Sequence, residues 1–199
     1  TLLRHSKSYA DMIVERLGLT ERHEVVEIVS NDGYLLQYFV EKGIPVLGIE
    51  PAANVAEAAI QKGIPSLVKF FGRETARDVV ATGKQADLIV ANNVLAHVPD
   101  VNSFVEGLKI LLKPQGVITV EFHYLLRLMA DNLFDTIYHE HYTYLSLVAV
   151  ERILAAKGLR VFDVEEIPTH GGSLRVYGCL AGAGHPETPA LRALREKEA

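Results

Sequence analysis

Between Phe134 and Ser146 the chain runs Phe-Asp-Thr-Ile-Tyr-His-Glu-His-Tyr-Thr-Tyr-Leu-Ser, with Tyr138, His139, Glu140 and His141 at its centre. Imidazole is the side chain whose ordinary pKa suits a base near neutrality, and His141 and His97 are the candidates. A tyrosine such as Tyr138 can donate to a developing oxyanion, and a carboxylate such as Glu140 can orient a histidine or a hydroxyl group. The His-Glu-His order could also suit a metal. A helical zinc site needs His-Glu-x-x-His, however, and rings two residues apart on a helix point away from each other, so no metal is expected. By the same geometry only one of the two rings takes part, and His139 is assigned a structural role. Tyr142 and Tyr144 could equally be core.

A second set lies near the start. The apolar run Val25-Val26-Glu27-Ile28-Val29 is followed by Ser30-Asn31-Asp32-Gly33, and Pro45 to Ile49 by Glu50-Pro51. In open α/β sheets ligands bind beyond the carboxyl ends of the strands. Gly33 allows close backbone approach there, and Glu50 can accept both hydroxyls of an adenosine ribose; otherwise it caps the next helix. A dinucleotide would need the bare backbone of G-x-G-x-x-G, which is absent. A sulfonium with a methionine tail accepts polar and acidic neighbours such as Asp32, so the expected cofactor is S-adenosylmethionine. Phe71, after the third strand, and Asn92, Asn93 and Val94, after the fourth, are expected to flank its adenine.

The elements that position these residues alternate. Short apolar runs, including Ser66 to Phe71, Leu88 to Ala91 and Val117 to Phe122, are interleaved with helical patterns at 34–42, 54–61, 74–81 and 104–112. That rhythm predicts a parallel sheet wrapped by crossover helices. Lys-Gly-Ile-Pro recurs at Lys42 and Lys62, where glycine ends a helix and proline prevents its continuation. Ser103 and Glu106 form a capping-box pattern. After Phe122 the period is lost until a helix at 147–156 and two strands, 159–164 and 174–180, which predict an antiparallel pair finishing the sheet.

Composition narrows the class. The chain has 199 residues, 49% of them hydrophobic, and a formal net charge of -5. It is long enough for one core. Arg192, Arg195, Lys197 and Lys84 lie among acids, so no nucleic-acid footprint is visible. The lone Cys179, in an apolar run, reads as a buried core thiol and rules out a disulfide framework within the chain. No run approaches the ~20 apolar residues of a membrane span, and residues 1–11 do not resemble a signal peptide. The expected compartment is the cytoplasm.

Ala86-Asp87-Leu88-Ile89-Val90-Ala91-Asn92-Asn93-Val94-Leu95-Ala96-His97-Val98-Pro99-Asp100 and Leu111-Leu112-Lys113-Pro114-Gln115-Gly116 resemble the fourth- and fifth-strand motifs of class I methyltransferases. Two departures are Gln115 in place of a second glycine and Val29 where many members carry Gly or Ala. With Glu121-Phe122-His123-Tyr124-Leu125 and His170-Gly171-Gly172-Ser173-Leu174-Arg175, the Tyr138 segment resembles the sugar C-methyltransferases, over about residues 24–180. The resemblance implies a Rossmann-like α/β fold, a mostly parallel seven-stranded sheet with an antiparallel terminal strand and helices on both faces. It implies methyl transfer to the carbon beside the ketone of a nucleotide-linked 4-keto-deoxysugar, with His141 as base and Tyr138, Glu140 and His97 supporting it. O- or N-methylation of another metabolite, or cofactor binding without catalysis, are alternatives on the same fold. His123, Tyr124, Ser173 and Arg175 become candidate substrate contacts, Ser173 and Arg175 alternatively being ordinary strand residues. Family members flank this domain with a cysteine-rich zinc module and a further α/β domain. Residues 1–185 are therefore expected to form the cofactor-binding domain and 186–199 a tail leading to the domain beyond.

Overall fold

The computed structural model describes residues 2–168 and 171–199, with the side chain of Phe134 excepted. His170 lies outside the described residues. Helix α1 (Leu2–Leu17) precedes β1 (Val25–Ile28), α2 (Gln37–Val40), β2 (Val46–Ile49), α3 (Ala53–Gln61), β3 (Ser66–Leu67), α4 (Arg73–Ala81) and β4 (Ala86–Asn92). Then follow α5 (Val101–Leu111), β5 (Leu112–His123), α6 (Leu125–Ala130), α7 (Leu147–Ala155), β6 (Leu159–Ile167), β7 (Ser173–Leu180) and α8 (Pro189–Glu198).

The seven strands form one sheet in the order β3-β2-β1-β4-β5-β7-β6. The first five run parallel, and β7 is antiparallel to both its neighbours. The expected fold class holds. The central strands are rich in Val and Ile because both of their faces are buried. Val26, Ile28, Ile89 and Ile118 face α4, α5, α7 and α8, while Val25, Val46, Leu88 and Val117 face α1 and α2. Cys179 is buried in the second layer.

Several elements differ from expectation. The third strand shrinks to Ser66–Leu67, and the helix expected from Tyr34 shortens to Gln37–Val40 because turns occupy 31–36. Asp100, not Ser103, caps α5: its Oδ1 accepts from the Ser103 amide at 2.9 Å. The Ser103 hydroxyl instead accepts from the Arg73 amide at 3.2 Å, tying α5 to α4. Helix α1 had no sequence expectation. Its buried stripe, Ser6, Tyr9, Ala10 and Ile13, follows the i, i+3, i+4, i+7 spacing of one face, with Lys7 and Ser8 exposed on another. Tyr9, Ala10 and Ile13 join the second apolar layer, and polar contacts add to them: Tyr9 Oη lies 2.6 Å from Thr119 Oγ1, and Arg16 pairs with Asp163 at 2.6 Å.

The segment after residue 185 packs against this domain. Leu191 and Leu194 of α8 are buried in the α5/α7 layer. The Glu198 carboxylate accepts from the Leu147 and Val148 amides, at 2.7 and 2.9 Å, and from Tyr124 Oη at 2.7 Å. The first amides of α7 lack partners within the helix, so a carboxylate there is favourable twice over, as acceptor and as anion at the positive end. Glu198→Ala strands all three donors and is expected to lower stability by about 1–3 kcal/mol in urea unfolding.

Candidate active site

The turns after β1 and β2 carry the first half of the site. Val29 and Asn31 take left-handed backbone conformations, φ 58° and 51°. Asparagine tolerates that region, whereas a β-branched valine is strained in it, which gives a physical cost to the residue that departs from the usual Gly or Ala. Glu50, buried, reaches across: its Oε2 accepts from the Asn31 amide at 3.0 Å. Pro51 has no amide hydrogen, and Oε1 takes the next one, Ala52, at 2.9 Å. Glu50 thus fixes the β1 turn against the start of α3 and retains lone pairs for a diol. Gly33 packs so closely that an added Cβ would lie 2.3 Å from Ile64 Cδ1. That approach carries the Asp32 carboxylate to Lys62, 2.6 Å away. Asp32 was expected to face the methionine part; its carboxylate is engaged by Lys62, just beyond α3, instead.

The acid that sequence reasoning missed is Glu27. It sits on β1 opposite Gly48, fully buried, with Oε2 lacking a hydrogen-bond partner. Burial, then the charges of Glu50 and Asp32, holds its carboxyl well above the usual range. The signal was present: one charge inside an apolar strand. Ser30 Oγ and the Oδ1 atoms of Asn92 and Asn93 are likewise buried without partners, all along this carboxyl edge. Phe71 edges its ring against Phe104, centroids 5.3 Å apart, so packing against α5 uses part of the surface expected to meet adenine. Its neighbour Phe70 is 83% exposed. Val94 points into the core, leaving its backbone to face the edge.

Beyond β4 and β5 lies a cavity of about 300 Å³, lined by Leu2, Asn93, Ala96, His97, His123, Tyr138 and His141. The strands supply Asn93, His97 and His123 from their ends, and the segment after α6 folds back to bring Tyr138 and His141. Two hydrogen bonds hold that return: Tyr142 N donates to Ala96 O at 2.8 Å, and His97 Nδ1 bonds Glu140 O at 2.8 Å. A carbonyl only accepts, so His97 donates from Nδ1, and in its neutral form the lone pair is on Nε2. His141 stands in the middle, its ring 4.2 Å from Tyr138, 4.7 Å from His97 and 5.4 Å from His123. Its Nδ1 is buried without a hydrogen bond. Burial, then the neighbouring His97, pushes its pKa down, against the opposing pull of the Thr136 backbone and Glu140. His139 and the Glu140 side chain are exposed. Among the described residues, no group of three His, Cys, Asp or Glu is arranged to hold a metal.

Two of the four expected substrate contacts belong to the scaffold. Tyr124 is fully buried and its hydroxyl is held by Glu198, which also pushes its pKa up, after burial. Arg175, 3% exposed, spends its guanidinium on Glu121 at 3.0 Å and Glu165 at 2.9 Å, under the ring of Tyr9. An arginine so committed has its charge neutralised inside the fold, and the expectation that it grips sugar or phosphate oxygens is corrected. Ser173, buried, pairs in register with His123 beside the cavity.

Residues 2–164 match a family model described as a methyltransferase domain. The chain belongs to that methyltransferase family. S-adenosylmethionine is the methyl donor of such domains. The chain is 36% identical over 198 residues to the C-methyltransferase NovU of Streptomyces niveus, covering 100% of this chain and 47% of the other. It is 31% identical over 108 residues to a ubiquinone biosynthesis O-methyltransferase of Bordetella avium, covering 53% of this chain and 45% of the other. This methyltransferase domain thus spans about half the length of the curated relatives it matches. Magnesium protoporphyrin IX methyltransferase (ChlM) from Synechocystis, solved with bound SAH, shares the fold at TM-score 0.68 and 15% identity, covering 88% of this chain and 82% of that one. A S-adenosylmethionine-dependent methyltransferase from Clostridium acetobutylicum does so at TM-score 0.67 and 12% identity, covering 88% and 92%.

The residues present fit the donor. An unpartnered buried carboxylate, Glu27, matches an ammonium group, and Glu50 offers oxygens to a ribose. Glu50→Ala is expected to weaken S-adenosylhomocysteine binding by about 1.5–3 kcal/mol in titration calorimetry. Glu27→Gln separates binding from folding. A carboxyl raised in the folded state favours folding below its unfolded value of 4.5 and loses that advantage as pH rises through the folded value. At neutral pH the variant is therefore expected to melt higher than the parent when ligand-free, yet to bind S-adenosylhomocysteine about tenfold more weakly, the loss of one charged partner.

Proposed function

We propose that this domain moves the methyl of S-adenosylmethionine onto the carbon beside the ketone of a nucleotide-linked 4-keto-deoxysugar. The observation that carries the proposal is His141, a buried imidazole of lowered pKa, central to a cavity shared with His97, His123 and Tyr138. O- or N-acceptors bear their own lone pair; a carbon acceptor must first lose a proton, and this cavity is equipped for that step. The 36% identity to a protein named a C-methyltransferase supports the same reading.

With Nδ1 buried, Nε2 is the nitrogen of His141 left to meet the acceptor. It takes the carbon-bound proton while the electron pair moves to the ketone oxygen, which Tyr138 can support from the rim. S-adenosylmethionine, when bound, would supply an electrophilic methyl to the carbon so activated, and the cavity would align the two and exclude water. Donor binding is assigned to the 30–33 turn, Glu27 and Glu50, with the Asn92 to Val94 backbone beside adenine. A cytoplasmic setting suits a nucleotide-sugar substrate.

In heavy water with S-adenosylhomocysteine, the full-length protein is expected to exchange deuterium into the carbon beside the ketone. His141→Asn is expected to cut exchange and methylation together by about 10²–10⁴-fold. Exchange at the normal rate in that variant would move the base to His97, whose free Nε2 is the next in line. Because the His141 pKa is depressed from 6.5, its neutral, proton-accepting form persists below that value. The acid limb of the exchange rate is accordingly expected below pH 6.5, not at it.

A further inference from the structure

Removing a proton beside a ketone places negative charge on the ketone oxygen, and the charge needs a donor at the cavity wall. We infer that the side-chain amide of Asn93 is that donor. The assignment rests on the proposed C-methyl transfer.

Asn93 lines the cavity with His97, His123, Tyr138 and His141. Its Oδ1 is buried and unpartnered, and no described residue takes a hydrogen bond from its Nδ2. One end of the amide is shut inside the wall, which leaves the two N–H groups as the end that meets an acceptor. The backbone holds it there: Asn93 sits at φ 55°, its own amide donating 2.7 Å to Glu121 O on the neighbouring strand. Few residues other than asparagine and glycine occupy that region without strain, so the position combines a conformational demand with a donor.

The other groups around the cavity are less suited. The imidazoles of His97 and His141 present acceptor nitrogens, and Tyr138 is 42% exposed on a returning segment. A neutral amide fixed at a strand end binds the ketone weakly and the enolate strongly, which is what a rate-enhancing contact requires. The step balances. The carbon–hydrogen bond breaks, its proton goes to His141 Nε2, and its electron pair forms the carbon–carbon double bond as the carbonyl pair moves to oxygen under the Asn93 N–H groups. Attack on the sulfonium methyl then returns the pair, and the thioether leaves.

The test uses the full-length protein with S-adenosylhomocysteine and the keto-sugar nucleotide in heavy water. Asn93→Gly keeps the left-handed backbone and removes the amide; Asn93→Asp keeps the shape and replaces donors with an anion. Both are expected to slow deuterium exchange and methylation together by about 10²–10³-fold in kcat. Exchange at the parental rate with slowed methylation would overturn the assignment and move Asn93 to the donor side. Weakened S-adenosylhomocysteine binding with normal exchange would overturn it in favour of an adenine contact. Absence of exchange in the unaltered protein would overturn the C-methyl transfer itself, and the oxyanion role with it.

Discussion

One guanidinium organises the half of the molecule that surrounds the acceptor. Arg175 on β7 is buried between Glu121 of β5 and Glu165 of β6, and the ring of Tyr9 from α1 covers it. Glu121 also meets His5 of α1 at 3.3 Å, and Tyr177, one pleat along β7, donates to Glu165 at 3.1 Å. Three strands and a helix are thereby tied together; within the cluster Arg175 and Glu121 form the buried pair, and removing one of these two leaves the other uncompensated, at a cost of about 3–5 kcal/mol, whereas Glu165 is half exposed. The arrangement places His123 at the end of β5 and Leu2 at the start of α1 in the wall of the same cavity.

The donor half depends on a different constraint, the reversal after β1. A chain leaving a buried parallel strand must satisfy its amides within a few residues. Here the Glu50 carboxylate does so from the adjacent strand, accepting from both Asn31 and Ala52. The same side chain that offers oxygens to a ribose is therefore part of the turn that receives the methionine portion. Lys62 closes the outer flank of that turn through Asp32, and both partners are about half exposed, so this contact is the one that salt screens.

What could be read from the sequence divides along physical lines. Strands buried on both faces announce themselves as continuous Val and Ile runs, and β1, β2, β4 and β5 were legible for that reason, as was the helix–strand alternation. The antiparallel finish followed from two consecutive strands. Helix α1 was not legible, because its buried face mixes Ser6 and the small Ala10 with Tyr9 and Ile13, a weak apolar signal, and Tyr9 is tied to Thr119, distant in sequence. In the site, Tyr138, His141 and His97 came together because their motifs lie at adjacent strand ends and loops. Tyr124 and Arg175 were misassigned because residue type alone does not say which way a strand side chain is committed. The partners that commit them, Glu198 and Glu121, are distant in sequence. Glu27 was overlooked for the opposite reason: it lay inside a run that had already been explained as core.

The unpartnered buried side-chain atoms among the described residues are Glu27 Oε2, Ser30 Oγ, Asn92 Oδ1, Asn93 Oδ1, His141 Nδ1 and Arg175 Nε. All stand toward one end of the strands, while the centres of β1, β4 and β5 are buried and apolar, as at Val26, Ile89 and Ile118. Cohesion and recognition are thus divided along the length of single strands. Local opening should begin where the strands deliver their chemistry, and slow amide exchange should mark their buried centres. A sheet built this way lets the carboxyl-edge turns vary to suit new acceptors while the buried strand centres keep the fold, so specificity can evolve without first renegotiating stability.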